Sequence, residues 1–264
     1  MKKIIAKNKN HLEILIQQEM KQNGDNCSLN HIDVSKVTDM SNLFHYSYFN
    51  GDISQWDVGN VVNMKEMFYN CQFNGDISQW NVSNVKNMEG MFRGAKFNGD
   101  ISKWNVSNVK DMNCMFRYTQ FSGDISRWDV SNVKNFEDMF SFSQFNGDIS
   151  KWDVSNVNNM SFMFADSQFN QDISNWDVSN VNIVEKMFYD SQFNQDISDW
   201  KPISVRDKDS MFDNSVLEKN HKLPYWYNIE PEFMKSAINA YEMNKKLNQE
   251  LNKKNHTKKI TMKV

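Results

Sequence analysis

Residues 73–96 read FNGDISQWNVSNVKNMEGMFRGAK, and copies of this 24-residue segment make up most of the 264-residue chain. Tryptophans mark the copies at a constant step of 24 residues: Trp56, Trp80, Trp104, Trp128, Trp152, Trp176 and Trp200. Repetition at a fixed period in the twenties is typical of solenoid proteins, in which each repeat forms one coil. A coil this small cannot bury its apolar side chains alone, so we expect stacked neighbours to bury them together.

The apolar spacing within one copy predicts the shape of the coil. Ile77, Trp80, Val82 and Val85 give the pattern apolar-x-x-apolar-x-apolar-x-x-apolar, which is the spacing of leucine-rich repeats. Trp-x-Val alternation predicts a short strand with both side chains inward, and the apolar spacing over residues 85–92 predicts a short helix. The expected fold class is α/β: a leucine-rich-repeat-like solenoid of about eight 24-residue coils, with a parallel strand ladder on one face, short helices on the other and a cap at each end.

The same residues carry a family resemblance. The motif Asp-Ile-Ser-x-Trp-Asp-Val-Ser-Asn-Val-x-Asn-Met-x-x-Met-Phe resembles the repeat of the BspA-like leucine-rich-repeat surface proteins of bacteria, and the resemblance covers residues 28–216. It implies a leucine-rich-repeat-like solenoid with a role in adhesion or protein recognition. It carries over no catalytic residues, because the motif is structural.

The ends of the chain depart from the repeat. Leu12 to Met20 have helical spacing, and Asn23-Gly24-Asp25 ends it, so we expect a helix over the open end of the first coil. Pro202 replaces Val in the last copy, where a missing N–H suits the edge of the stack. The predicted organisation is an N-terminal capping helix (1–27), the repeat solenoid (28–216), a C-terminal cap (217–243) and a basic polar tail (244–264).

Charge is divided unevenly along the chain. Residues 244–264 hold seven lysines against Glu250, a net of +6, and residues 1–10 hold four lysines; since the whole chain carries −3, residues 11–243 carry −13. An acidic body argues against nucleic acid bound along the repeat. The basic tail remains a candidate for nucleic acid or an acidic surface, with a merely solvated end as the alternative.

Signals of catalysis, metal binding and export are missing from the sequence. None of the five histidines lies in the seven Trp copies, and there is no Gly-rich phosphate loop, Cys-x-x-Cys or His-Glu-x-x-His motif. One Asp per copy, at Asp76 and its equivalents, suits a turn cap better than calcium, which needs six or more oxygens. We therefore expect no enzyme, cofactor or metal site. An apolar run of only three residues near the N-terminus predicts a cytoplasmic protein with no membrane span, and the family resemblance gives the cell surface as the alternative.

Two sets of side chains in the repeat are candidates for a binding surface. The tryptophans could form a stacking surface for carbohydrate or bases, but their spacing from the inward valines favours the core. On the outward side of the predicted strand, the position before Trp varies and is basic at Lys103, Arg127 and Lys151. The position after Trp supplies Asn105, Asp129 and Asp153. We expect the stacked cations to repel one another unless the carboxylates of Asp129 and Asp153, or acidic groups of a partner, offset them. These six residues form the predicted docking face for a protein partner. A solvated face, binding through the basic tail, and an enzyme with an unrecognised site are the alternatives.

Overall fold

A computed structural model describes residues 3–261, with side chains through Lys253. Its elements are β1 (Ile4–Ile5), α1 (Lys9–Asn23), β2 (Ile32–Asp33), α2 (Val216–Lys219) and α3 (Pro231–Thr261). Residues 34–215 are all described, and among them the chain forms neither a helix nor a strand longer than one residue. Most of the molecule is therefore built from turns.

Single parallel bridges join each copy of the repeat to the next. They run from Asp39 to Asp207, and every bridging residue pairs with the residue 24 positions later. At one such bridge the Met64 amide donates to the Asn87 carbonyl at 3.0 Å, while the Lys86 amide donates back to the Val62 carbonyl at 2.8 Å. Consecutive copies thus lie side by side, in parallel and in the register of the repeat.

Where the sequence predicts short helices, the structure has successive turns. In residues 85–92, the Met91 amide donates to the Met88 carbonyl within the copy, whereas the Phe92 amide donates to Met115 in the next copy, both at 3.1 Å. Two residues per copy have a positive φ, which a right-handed helix does not allow: Asn42, Tyr46, Glu66, Asn70, Gly90, Gly94, Cys114, Tyr118, Asp138, Phe142, Phe162, Asp166, Lys186, Asp190, Ser210 and Asn214. The helix prediction was wrong because apolar residues three apart fit consecutive β-turns, closed by bonds between residues i and i+3, as well as a helix.

The predicted strand at Trp-x-Val is also replaced by turns. The Trp80 amide donates to the Ile77 carbonyl at 3.1 Å and the Val85 amide to Val82 at 2.9 Å, so each bond closes a turn within the copy. The bridge lies seven residues after the Trp instead, at Asn87 in this copy. The inward direction of Trp and Val is nevertheless as predicted, since both are buried in every copy from Trp56 to Trp176.

The core consists of aromatic rings stacked from copy to copy. The seven tryptophans are only 2–4% exposed, and the rings of Trp56 and Trp80 lie 6.4 Å apart and 6° from parallel. A Phe ladder through Phe92 has neighbouring centroids 5.5–5.8 Å apart, and a second through Phe97 has them 6.0–6.4 Å apart. The tryptophans therefore belong to the core and offer no stacking surface.

Each end of the stack is covered by residues outside the repeat. At the N-terminal end, α1 begins after Asn8, whose side chain accepts from the His11 amide, and buries Leu12 and Ile16. At the C-terminal end, Trp226 stacks on Trp200 with centroids 6.3 Å apart. The long helix α3 then buries Met234 and Ile238.

Helix α3 continues through most of the segment predicted as a polar tail. Its backbone is helical as far as Thr261, and the side chains after Lys253 lie outside the described residues. Over the described length of the chain, no helix is both long and apolar enough to cross a membrane.

Candidate binding surfaces

The predicted cations lie in register on one side of the stack. Lys103, Arg127 and Lys151 each precede a buried Trp and are exposed, as are Asn105, Asp129 and Asp153 after it. Within residues 3–253, none of the three cations has a carboxylate within 4.0 Å. Three of the predicted site residues are therefore stacked, exposed cations without an ion pair.

Each cation of this column acts electrostatically on an Asp that lies three residues before it in the sequence. Asp129 Oδ1 accepts from the Ser131 amide at 3.1 Å and its hydroxyl at 2.6 Å, closing a turn. Instead, Arg127 acts on Asp124, whose pKa is lowered first by the hydrogen bonds from Ser126 and then by this guanidinium. Lys103 and Lys151 stand in the same relation to Asp100 and Asp148. Asp153 likewise accepts from the Ser155 amide at 3.0 Å, so the carboxylates of Asp129 and Asp153 both cap turns, and that they offset the cations stays a prediction.

The frame that holds these side chains is fixed by short polar residues. In the copy of Trp128, Asp124, Asp129 and Asn135 each accept from the amide two residues ahead, at 2.9–3.1 Å. Asn132 Nδ2 reaches across to the Ser107 carbonyl of the previous copy at 2.8 Å. The predicted turn-capping role of the first Asp is confirmed in all seven Trp copies. These bonds hold the backbone turns from which the exposed side chains of the columns project.

A second basic column escaped the sequence analysis. Lys86, Lys110 and Lys134 lie six residues after successive tryptophans and are exposed. Their backbones are linked directly, since the Lys110 amide donates to the Lys86 carbonyl at 2.9 Å and Lys134 donates to Lys110 at 3.0 Å. Among the described residues, no carboxylate lies within 4.0 Å of these lysines either. Because these lysines are 24 residues apart, the repeat period alone predicts that they lie in register.

An aromatic and arginine cluster lies on the turns that replace the helices. The rings of Tyr118 and Phe142 stack with centroids 4.6 Å apart, and the Arg117 guanidinium lies 5.0 Å and 5.7 Å from them. Both aromatic residues are exposed and have a positive φ, a conformation that bulky residues adopt at a cost. Gly94 occupies the equivalent position of another copy, so the turn itself requires no aromatic side chain. Glycine, asparagine or aspartate at this position in five other copies was the sequence signal for a positive φ.

Two thiols in the repeat, Cys71 and Cys114, are held in their neutral forms at neutral pH. Burial raises the pKa of the Cys71 thiol to about 11, and burial together with the nearby Asp138 charge raises that of Cys114 to about 11. Thiols protonated at neutral pH are poor nucleophiles and poor metal ligands. Among the described residues, no three His, Cys, Asp or Glu side chains converge as a metal site would require.

Comparison with known proteins places the repeat in one family. No curated protein and no solved structure matches the chain. Two consecutive segments, residues 15–122 and 117–226, each match the family described as "Mycoplasma protein of unknown function, DUF285". The two matches together span most of the chain and contain all seven Trp copies, which identifies a tandem repeat protein. The chain belongs to the DUF285 family.

Proposed function

We propose that this protein is a non-catalytic recognition scaffold, a leucine-rich-repeat-like solenoid of the BspA-like kind, that binds a protein partner. One observation carries the proposal. Exposed cations are displayed in register on turns that recur in each copy, and among residues 3–253 those cations have no carboxylate within 4.0 Å. Solenoids bind on such extended repeated surfaces.

The docking face that we propose contains both basic columns. Lys103, Arg127 and Lys151 form one column, and Lys86, Lys110 and Lys134 form the other. Asn105, Asp129 and Asp153 lie on the same segments and are exposed, so the partner would meet a mixed surface with a basic excess in the central copies. Charge complementarity favours a partner with an acidic patch, which would accelerate encounter and set its register.

Charge reversal tests this face. We expect Lys103→Glu, Arg127→Glu and Lys151→Glu together to leave the fold intact and to slow association with a captured partner, with a difference that shrinks at high salt. A matched control reverses three exposed lysines of the caps, Lys7, Lys21 and Lys219, and should bind as the unmodified protein does. Equal loss of binding in both variants would mean that only net charge matters, and the proposed face would be abandoned.

A further inference from the structure

Helix α3 contacts the end of the stack through one face only. Met234 and Ile238 on that face are buried, and the ring of Tyr241 stacks on Tyr225 with centroids 4.0 Å apart. Lys245 bonds to Asp199, and Glu242 pairs with Lys201 at 3.1 Å. These contacts hold the helix against the last copy and fix which side faces outward.

The outward side of α3 carries an apolar stripe. Phe233, Met243, Leu247 and Leu251 are 58%, 68%, 54% and 48% exposed. At 3.6 residues per turn they fall within about 80° of the helix circumference, and the stripe is about 27 Å long. It lies roughly opposite Met234 and Ile238, so the contacts that anchor the helix do not cover it.

Charged residues accompany this stripe, with a basic excess: Pro231–Thr261 holds seven lysines against Glu232, Glu242 and Glu250. Lys235 and Lys246 are exposed and lie on the same flank of the stripe by helical spacing. The sequence continues with Lys253, Lys254, Lys258, Lys259 and Lys263; the last four side chains lie outside the described residues. An exposed apolar stripe on a lysine-rich helix is typical of helices that lie in the interface of an anionic membrane.

We propose that α3 docks on an anionic lipid surface, with Phe233, Met243, Leu247 and Leu251 in the acyl boundary and Lys235 and Lys246 at the headgroups. Pairing with a second copy is disfavoured because it would bring two lysine-rich helices together. Nucleic acid would use the lysines but leave the apolar stripe in water. This surface is separate from the proposed protein-docking face and does not depend on it.

Vesicle sedimentation of the full chain tests the proposal. We expect binding to mixed phosphatidylserine–phosphatidylcholine vesicles, little binding to phosphatidylcholine alone, and weaker binding at high salt. Met243→Gln, Leu247→Gln and Leu251→Gln together should lower the partition at least about tenfold, because less apolar surface leaves water. Glutamine is a good helix former, so the helix should persist.

A matched control replaces three exposed apolar residues elsewhere, Ile14, Val62 and Ile203, by glutamine and should partition as the unmodified protein does. Reversing Lys103, Arg127 and Lys151 should also leave vesicle binding unchanged. Three results would overturn the proposal: no binding to anionic vesicles, a dimer in solution that only the α3 variant dissociates, or binding of a single-stranded RNA oligonucleotide that survives the α3 substitutions without vesicle binding.

Discussion

The indole N–H of Trp128 donates a hydrogen bond to the carbonyl oxygen of Ile101 at 3.1 Å, across the boundary between two copies. The same bond, at 3.0–3.2 Å, links each tryptophan from Trp56 to Trp200 to the residue 27 positions earlier. Each indole therefore fills the core of its own copy and pairs a buried backbone group of its neighbour. Each copy should therefore be stabilised by its immediate neighbours through such pairs.

Removing one central indole should be costly. We expect Trp128→Ala to lower the free energy of unfolding by about 3–5 kcal/mol, because a large buried side chain is lost and a cavity remains. Denaturant unfolding measures the loss. Trp200→Ala, near the end, should expose fewer amides in native-state hydrogen exchange than Trp128→Ala does. Equal loss of protection in all copies for both variants would contradict a stack stabilised by nearest neighbours.

A second prediction concerns Gly94, which has a φ of +66°. A Cβ at this position would meet Asn70 Oδ1, the end of a side chain of the previous copy that can rotate away, so the left-handed conformation sets the cost. We expect Gly94→Ala to destabilise the protein by about 1–2 kcal/mol in thermal or denaturant unfolding.

Gly59 provides the control for that substitution. It does not have a positive φ, and serine occupies the equivalent position in the copies of Trp80 to Trp176. Gly59→Ser should therefore leave the free energy of unfolding nearly unchanged. If Gly94→Ala proved equally harmless, the positive φ would not be a requirement of the turn.

The sequence predicted well which positions of the repeat are buried, because each inward position occurs in seven copies. Ile77, Trp80, Val82 and Val85 are buried as their spacing predicted. The backbone between them could not be predicted in the same way, since a step of three apolar residues suits a helix and a series of turns equally. What decides between them is the bond from the Phe92 amide to the next copy, a contact that exists only after the copies stack.

The surfaces were harder to predict for a related reason. Lys103, Arg127 and Lys151 directly precede the Trp that marks each copy. Lys86, Lys110 and Lys134 lie in the segment predicted as a short helix, which the structure replaces by turns. The stack of Arg117 with Tyr118 and Phe142 joins side chains of two copies. The 24-residue step places the two rings at the same position of neighbouring copies, but the predicted helix did not show that both would be exposed beside Arg117.

A third prediction concerns pH and Cys71. Its thiol has an ordinary pKa of 9.0 and one of about 11 in the folded chain, because burial disfavours the thiolate. The folded state therefore holds this proton more tightly, so its contribution to stability is complete below about pH 9 and is lost as the pH rises towards 11. Alkaline unfolding should be shifted to higher pH in Cys71→Ala.

Alanine is the natural choice there because Ala95 occupies the equivalent position of the next copy and is likewise buried. The variant should keep near-normal stability at pH 7, apart from a small cavity cost. Identical alkaline transitions in the two proteins would show that Cys71 does not contribute to the pH dependence.

A last prediction compares the two basic columns in the absence of any partner. Lys86, Lys110 and Lys134 are stacked like charges, and none has a carboxylate within 4.0 Å in the described part of the chain, so their repulsion should be partly unrelieved. Replacing all three by glutamine should stabilise the protein by up to about 1 kcal/mol at low salt, since like-charged neighbours cost a few tenths of a kcal/mol or more per pair. The gain should fade as salt screens the repulsion over shorter distances.

The other column supplies the matched comparison, because Asp100, Asp124 and Asp148 lie beside Lys103, Arg127 and Lys151. Glutamine at those three positions removes the attraction of each cation to its Asp together with the repulsion between the stacked cations. The thermal unfolding temperature at low salt should therefore change little. Equal stabilisation in both variants would show that the Asp column does not offset the cations beside it. The carboxylates of Asp100, Asp124 and Asp148 would then act only as acceptors in the turn hydrogen bonds. Both columns of cations would be equally able to bind an acidic partner.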